Sequence, residues 1–271
     1  MGEIIACANQ KGGVGKTTTV VSLATYLALN GLRILIVDLD PQGNATSGAG
    51  LEKAAEGGSV YGALVDEVPL AGLISTTAIP NLSIVPSSRE LSGAEVELVP
   101  IGGRERRLAA ALEPVVPDFD YILMDCPPSL GLITVNALTA ADSVLIPIQC
   151  EYYALEGLSQ LMATIDLVRD HLNPQLQLKG VVLTMFDART TLSADVSTEV
   201  RRHLGDAVFQ AVVPRSVRLA EAPSYGRPIA LYSPTSRGAQ AYSELAQELL
   251  ARDGRGAATS AGAEAPAWVT R

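Results

Sequence analysis

The segment Ile4–Thr18 constrains this chain more than any other. It reads as a short apolar strand, Ile4–Ala8, then the loop Lys11-Gly-Gly-Val-Gly-Lys-Thr-Thr18, then a helix opening at Thr17. Glycines in such a loop let the backbone turn and aim several N–H groups at one anion. The helix start adds partial positive charge at the same point. Lys16 is expected to reach the β- and γ-phosphates of a nucleotide and the Thr17 hydroxyl to ligate Mg²⁺. Gly12, Gly13, Val14, Gly15 and Thr18 complete the expected phosphate contacts. The common eight-residue pattern begins with glycine, but Gln10 stands there, so only the tighter form Lys-Gly-Gly-x-Gly-Lys-Thr fits. Lys11 is thus a second cation. It is either a solvated lysine or a charge delivered to the phosphates of a second subunit, as an arginine finger is delivered in trans.

The rest of the chain alternates apolar runs with helical patterns, which points to an α/β fold: a mostly parallel twisted sheet with helices on both faces, of the P-loop NTPase type. Expected strands are Ile4–Ala8, Arg33–Asp38, Leu82–Val85, Tyr121–Asp125, Ser143–Ile148, Gly180–Thr184 and Val208–Val213. Expected helices are Thr17–Asn30, Arg104–Glu113, Leu130–Ala141, Leu155–Leu172, Ala194–Leu204 and Ser236–Arg252. Aromatic residues are only 4% of the chain, so aliphatic side chains must fill the core. Residues 1–253 read as one ATPase-type domain. Residues 254–271 are rich in Gly, Ala and Ser and read as a disordered tail.

Two expected strands end in carboxylates. Asp38 is followed by Leu39-Asp40, and Asp125 by Cys126-Pro-Pro-Ser129. Ligands of open α/β sheets sit beyond the carboxyl ends of strands. Asp125 is therefore expected near Mg²⁺ through water, with Asp38 a second candidate, and Asp40 is expected to orient or activate the attacking water.

Other readings are weaker. Cys7, Cys126 and Cys150 are widely spaced in apolar runs and read as buried thiols, without the paired ligands of a metal or cluster site. No secretory signal and no span of 18 apolar residues is seen, and a cytoplasmic location without membrane attachment is expected. The net charge of −9 would by itself argue against nucleic acid. Residues 187–240, however, hold seven Arg and five acids, a balance of +2 against −11 for the remainder. That local asymmetry is modest.

Five segments together resemble the ParA/Soj chromosome-partitioning ATPases: Lys11–Thr18, Asp38–Ser47, Asp125–Gly131, Gln149–Gly157 and Val213–Pro223. The resemblance runs from about residue 2 to 250. It implies an ATPase producing ADP and phosphate, with Mg²⁺, whose ATP-bound form is a homodimer with Lys11 reaching across the interface. It implies that this dimer binds double-stranded DNA without sequence preference, on the nucleoid, and that a ParB-type centromere-binding protein stimulates hydrolysis and release. It assigns Asp40, with Lys11 and Lys16, to catalysis, requires a small residue at Gly12, and places adenine near Pro214 and Ser216. It assigns DNA contacts to Arg189 and Arg218, with Arg215 less firmly matched. The helix-turn-helix domain of larger plasmid relatives is not expected.

Overall fold

A computed structural model describes residues 2–53, 58–151 and 154–255. The tail expected beyond 253 lies, from residue 256 onward, outside the described residues.

Eight strands form one sheet: β1 (Glu3–Cys7), β2 (Ile34–Asp38), β3 (Ser75–Thr76), β4 (Leu82–Val85), β5 (Tyr121–Asp125), β6 (Ser143–Gln149), β7 (Gln177–Phe186) and β8 (Val208–Pro214). Their order is β3-β4-β2-β5-β1-β6-β7-β8. All pairings are parallel except the short edge pair of β3 and β4. A sheet buried on both faces needs apolar residues on both sides of each strand, and the strands supply them. Ile5, Cys7, Ile34 and Ile36 belong to one core with the helices Lys16–Leu29 and Arg237–Arg252. Ile4, Ala6, Leu35 and Val37 belong to the other, with Leu91–Glu97, Arg107–Leu112, Leu132–Ala140 and Ala154–His171.

Register places the functional end. Asp38 of β2 and Cys7 of β1 are both level with Asp125 of β5. Three neighbouring parallel strands therefore stop together, and the loops after Cys7, Asp38 and Asp125 start side by side.

The expected α/β architecture is present, with differences of local cause. β7 runs from Gln177 to Phe186 rather than from Gly180 to Thr184. Gly180, which marks a break in the sequence pattern, instead lies inside the strand at φ +153°, near a register shift between β6 and β7. The segment expected as a helix from Arg104 begins as a 3₁₀ turn, Arg104–Arg106, after Gly103 at φ +71°. The helix expected from Ala194 starts at Thr191, because the Thr190 hydroxyl caps the Ser193 N–H. Strand β3 and the helices Asn44–Gly48, Val60–Leu64, Leu91–Glu97, Val217–Glu221 and Ile229–Tyr232 were not anticipated; each is too short to show a period.

A Cβ at Gly180 would stand 2.5 Å from a ring carbon of Phe209 and 2.8 Å from the Ala207 carbonyl oxygen. Gly180→Ala is therefore expected to lower unfolding stability by about 2 kcal/mol, read from the urea midpoint; an unchanged midpoint would mean that strand β7 relaxes freely there.

Candidate active site

The glycine loop joins β1 to the helix Lys16–Leu29. Gly13 and Gly15 have φ +75° and +88°, the left-handed region that glycine enters without a side-chain penalty. Two side chains outside the motif hold the loop. Asn9 accepts from the Lys11 N–H at 3.0 Å and donates to the Pro147 carbonyl at 2.8 Å. Thr184, on β7, donates to the Val14 carbonyl at 2.8 Å.

Lys16 is buried, 6% exposed, and its ammonium donates to the carbonyls of Asn9 at 2.9 Å and Lys11 at 3.3 Å. No carboxylate forms an ion pair with it among the described residues. A buried cation held by two carbonyls and no ion-paired carboxylate favours an anion in the loop.

The carboxylates show the converse imbalance. Asp125 is wholly buried, and neither carboxylate oxygen has a hydrogen-bond donor in good geometry. The nearby Thr17 hydroxyl and Lys16 lower its proton affinity, but burial first and then the Asp38 charge outweigh them and hold the Asp125 carboxyl well above its usual range. Asp38, also buried, receives the Thr46 hydroxyl at 2.6 Å, the Thr46 N–H at 2.7 Å and the Asp40 N–H at 3.2 Å. Burial nevertheless pushes it up to about 6. Asp38 thus orders the turn that carries Asp40. Asp40 is 8% exposed and accepts from the Gln42 N–H at 2.9 Å.

Asp40 lines an open cleft of about 500 Å³ with Gly12, Gly13, Gly15, Lys16, Thr17, Thr18, Gln42, Asn44 and Pro128. A more apolar cavity of about 380 Å³ adjoins it, bordered by Pro214, Arg215, Ser216, Val217, Thr184 and Tyr242. Gly15, Thr18, Met185, Leu219 and Ala220 line both. Pro214 and Ser216 therefore stand beside the phosphate loop although they follow it by about 200 residues in sequence. Met185, at φ +51°, is a further wall that the sequence did not indicate.

Lys11 points elsewhere. Its ammonium pairs with Glu151 at 2.9 Å, and both side chains are more than a third exposed. Among the described residues, a Cβ on Gly12 would meet only Pro128, at 3.9 Å. Arg189, Arg215 and Arg218 are exposed near the carboxyl ends of β7 and β8, where Phe186 and Pro214 are in register. Arg189 is held by Asp187 in two bonds of 2.9 and 2.7 Å, and Arg218 by Glu221 at 3.0 Å. The three cysteines are buried and unpaired, and no helix among the described residues is long and apolar enough to cross a membrane.

A family of AAA domains matches residues 2–178. The sporulation initiation inhibitor protein Soj of Bacillus subtilis is 58% identical over 251 residues, which is 93% of this chain and 99% of that protein. The chain belongs to the Soj/ParA family of chromosome-partitioning ATPases. The chromosome partitioning protein ParA of Myxococcus xanthus is 54% identical, over 93% of this chain and 89% of its own length. Among solved structures, a Mycobacterium smegmatis protein crystallised as cobyrinic acid a,c-diamide synthase, with bound ATP analog and magnesium, superposes with TM-score 0.82 at 38% identity. That match covers 95% of this chain and 98% of the other. The doubly covered parallel sheet and its loop are thus those of the Soj/ParA ATPases and their structural neighbours.

The raised carboxyls set a pH dependence. The folded, nucleotide-free protein retains a proton on Asp38 that the unfolded chain releases from about pH 4, and this proton leaves the fold only near pH 6. Stability therefore falls as pH climbs through that window. In chelator, thermal unfolding midpoints are expected to fall between about pH 4 and pH 6, and Asp38→Asn is expected to flatten that decline; a wild-type midpoint no lower than that of Asp38→Asn across this window would contradict the assignment.

Proposed function

We propose that this ATPase is the switch of a DNA-partitioning system. Its ATP-bound form is a homodimer holding double-stranded DNA without sequence preference, and a ParB-type centromere-binding partner ends that state by stimulating hydrolysis to ADP and phosphate. It works in the cytoplasm, on the nucleoid, and needs no membrane. The observation that carries this reading is the unmet demand at the loop: among the described residues, a buried Lys16 makes no ion pair and a buried Asp125 has no hydrogen-bond donor in good geometry.

The triphosphate of ATP would supply the anion that Lys16 lacks, within the N–H groups of Gly12, Gly13, Val14, Gly15, Thr17 and Thr18. The orphaned oxygens of Asp125 and the adjacent Thr17 hydroxyl suit a hard divalent cation, with Asp125 acting through water. Mg²⁺ in that position supplies neutralisation of the charge on the β- and γ-phosphates. The Asp38 Oδ1 atom, with one long bond at 3.2 Å, retains room for a water-mediated approach. Asp40 faces the cleft and orients the attacking water. Adenine occupies the adjoining cavity against Pro214 and Ser216.

The dimer is supported by two residues that the single subunit leaves unexplained. Among the described residues Gly12 has no neighbour close enough to demand glycine, and Lys11 turns outward to a half-exposed glutamate. An ammonium released from Glu151 can meet phosphates presented by a second subunit. Arg189 and Arg218, with Arg215, form the DNA face, and dimerisation doubles it.

In a titration of duplex DNA with ADP, ATP and a slowly hydrolysed analogue, binding is expected only with the last two, with a log–log salt slope near −0.9 per phosphate neutralised. Equal binding by the nucleotide-free protein would refute the switch. Asp40→Ala is expected to cut turnover on the order of 10²-fold while retaining ATP-dependent dimers and DNA, measured by phosphate release and sedimentation.

A further inference from the structure

Arg218 does not meet Glu221 alone. Glu221 Oε2 accepts from Arg218 Nη1 at 3.0 Å and from the Tyr232 hydroxyl at 3.0 Å. The donors come from two helices, Val217–Glu221 and Ile229–Tyr232, and converge on one oxygen. The Tyr232 ring is set in place: it stacks on Tyr225 with centroids 4.9 Å apart and planes at 27°, and it packs against the core below. Glu221 is the adaptable member, a partly exposed carboxylate on a short surface helix.

A carboxylate oxygen and a non-bridging phosphodiester oxygen are alike as acceptors: both are anionic, and both take an Arg donor and a hydroxyl donor at similar distances. We propose that Arg218 and Tyr232 form one binding point for a DNA phosphodiester, and that Glu221 fills it in the free protein as an internal stand-in. This rests on the DNA-binding reading above and adds Tyr232 as a contact residue and Glu221 as its competitor. Displacing Glu221 exposes a cation and a neutral donor already aimed at the same place. While Glu221 remains, it cancels the Arg218 charge and repels an approaching phosphate. Arg189 is neutralised by Asp187 in the same manner, but Asp187 also accepts the Arg189 backbone N–H and is tied to the turn. Glu221 accepts only side-chain donors.

The two donors are separable by salt. Losing an arginine contact removes a released counterion and flattens the salt slope by about 0.9 per phosphate, whereas losing a neutral hydroxyl lowers affinity and leaves the slope alone. The test is fluorescence anisotropy of a short labelled duplex over a salt series, with the slowly hydrolysed ATP analogue. Glu221→Gln is expected to tighten binding severalfold. Tyr232→Phe is expected to weaken it about fivefold at unchanged slope, and Arg218→Ala to weaken it with a flatter slope. Thermal midpoints and ATP-dependent sedimentation check that each variant folds and dimerises; if Tyr232→Phe fails that check, Glu221→Gln decides. Wild-type affinity in Glu221→Gln or in Tyr232→Phe, weaker binding by Glu221→Gln, or transfer of the same variant effects to anionic phospholipid vesicles in place of DNA overturns the assignment. Wild-type protein that binds no DNA with the analogue overturns the switch reading itself, a different result from variants that match a binding wild type.

Discussion

The arrangement of this chain turns on charge buried without its complement. β1, β2 and β5 end at one level, which brings Asp38, Asp125 and the glycine loop into a single dry region. Removing ionised groups from water is costly unless partners replace the water. Here replacement is partial. Asp38 has three donors, Lys16 has carbonyls, and Asp125 has none in good geometry. The remaining imbalance pairs a buried cation with a buried acid whose ionisation is suppressed, the pattern that a phosphate with a divalent cation satisfies at once. The surrounding helices and both apolar cores hold those groups where solvent cannot relieve them.

Much of this could be read from the residues. The strand-loop-helix order, the two acid-terminated strands and the parallel sheet follow from local patterns, because glycine spacing and apolar runs act over a few residues. The contacts that make the site work are long-range. Asn9 reaches Pro147 and Thr184 reaches Val14 across 138 and 170 residues. Neither type is distinctive, since Asn and Thr occur in many loops. Met185 becomes a wall shared by two cavities because β7 runs past its expected end at Thr184 to Phe186.

The basic segment shows a different limit. A count over residues 187–240 finds a small positive balance, yet Asp187 and Glu221 lie within that count and sit on the arginines that create it. Pairings two or three residues apart cancel in a sum, so the count locates the surface without revealing that it is self-neutralised. The tyrosine that joins Arg218 carries no charge and was absent from the count altogether. On the proposed DNA-binding reading, free and bound states of this face would differ by an exchange of acceptors more than by the appearance of charge.

Gly12 carries a consequence of its own. A methyl group there would touch nothing nearer than Pro128 in the same subunit. The described fold thus sets no steric demand at that position, and folding or stability screens on the free protein are expected to pass over it. A change in turnover from a larger residue at 12, with stability unchanged, would therefore report on what enters the cleft that Gly12 lines. One side chain's width at residue 12 can therefore serve as a gauge of what approaches the loop.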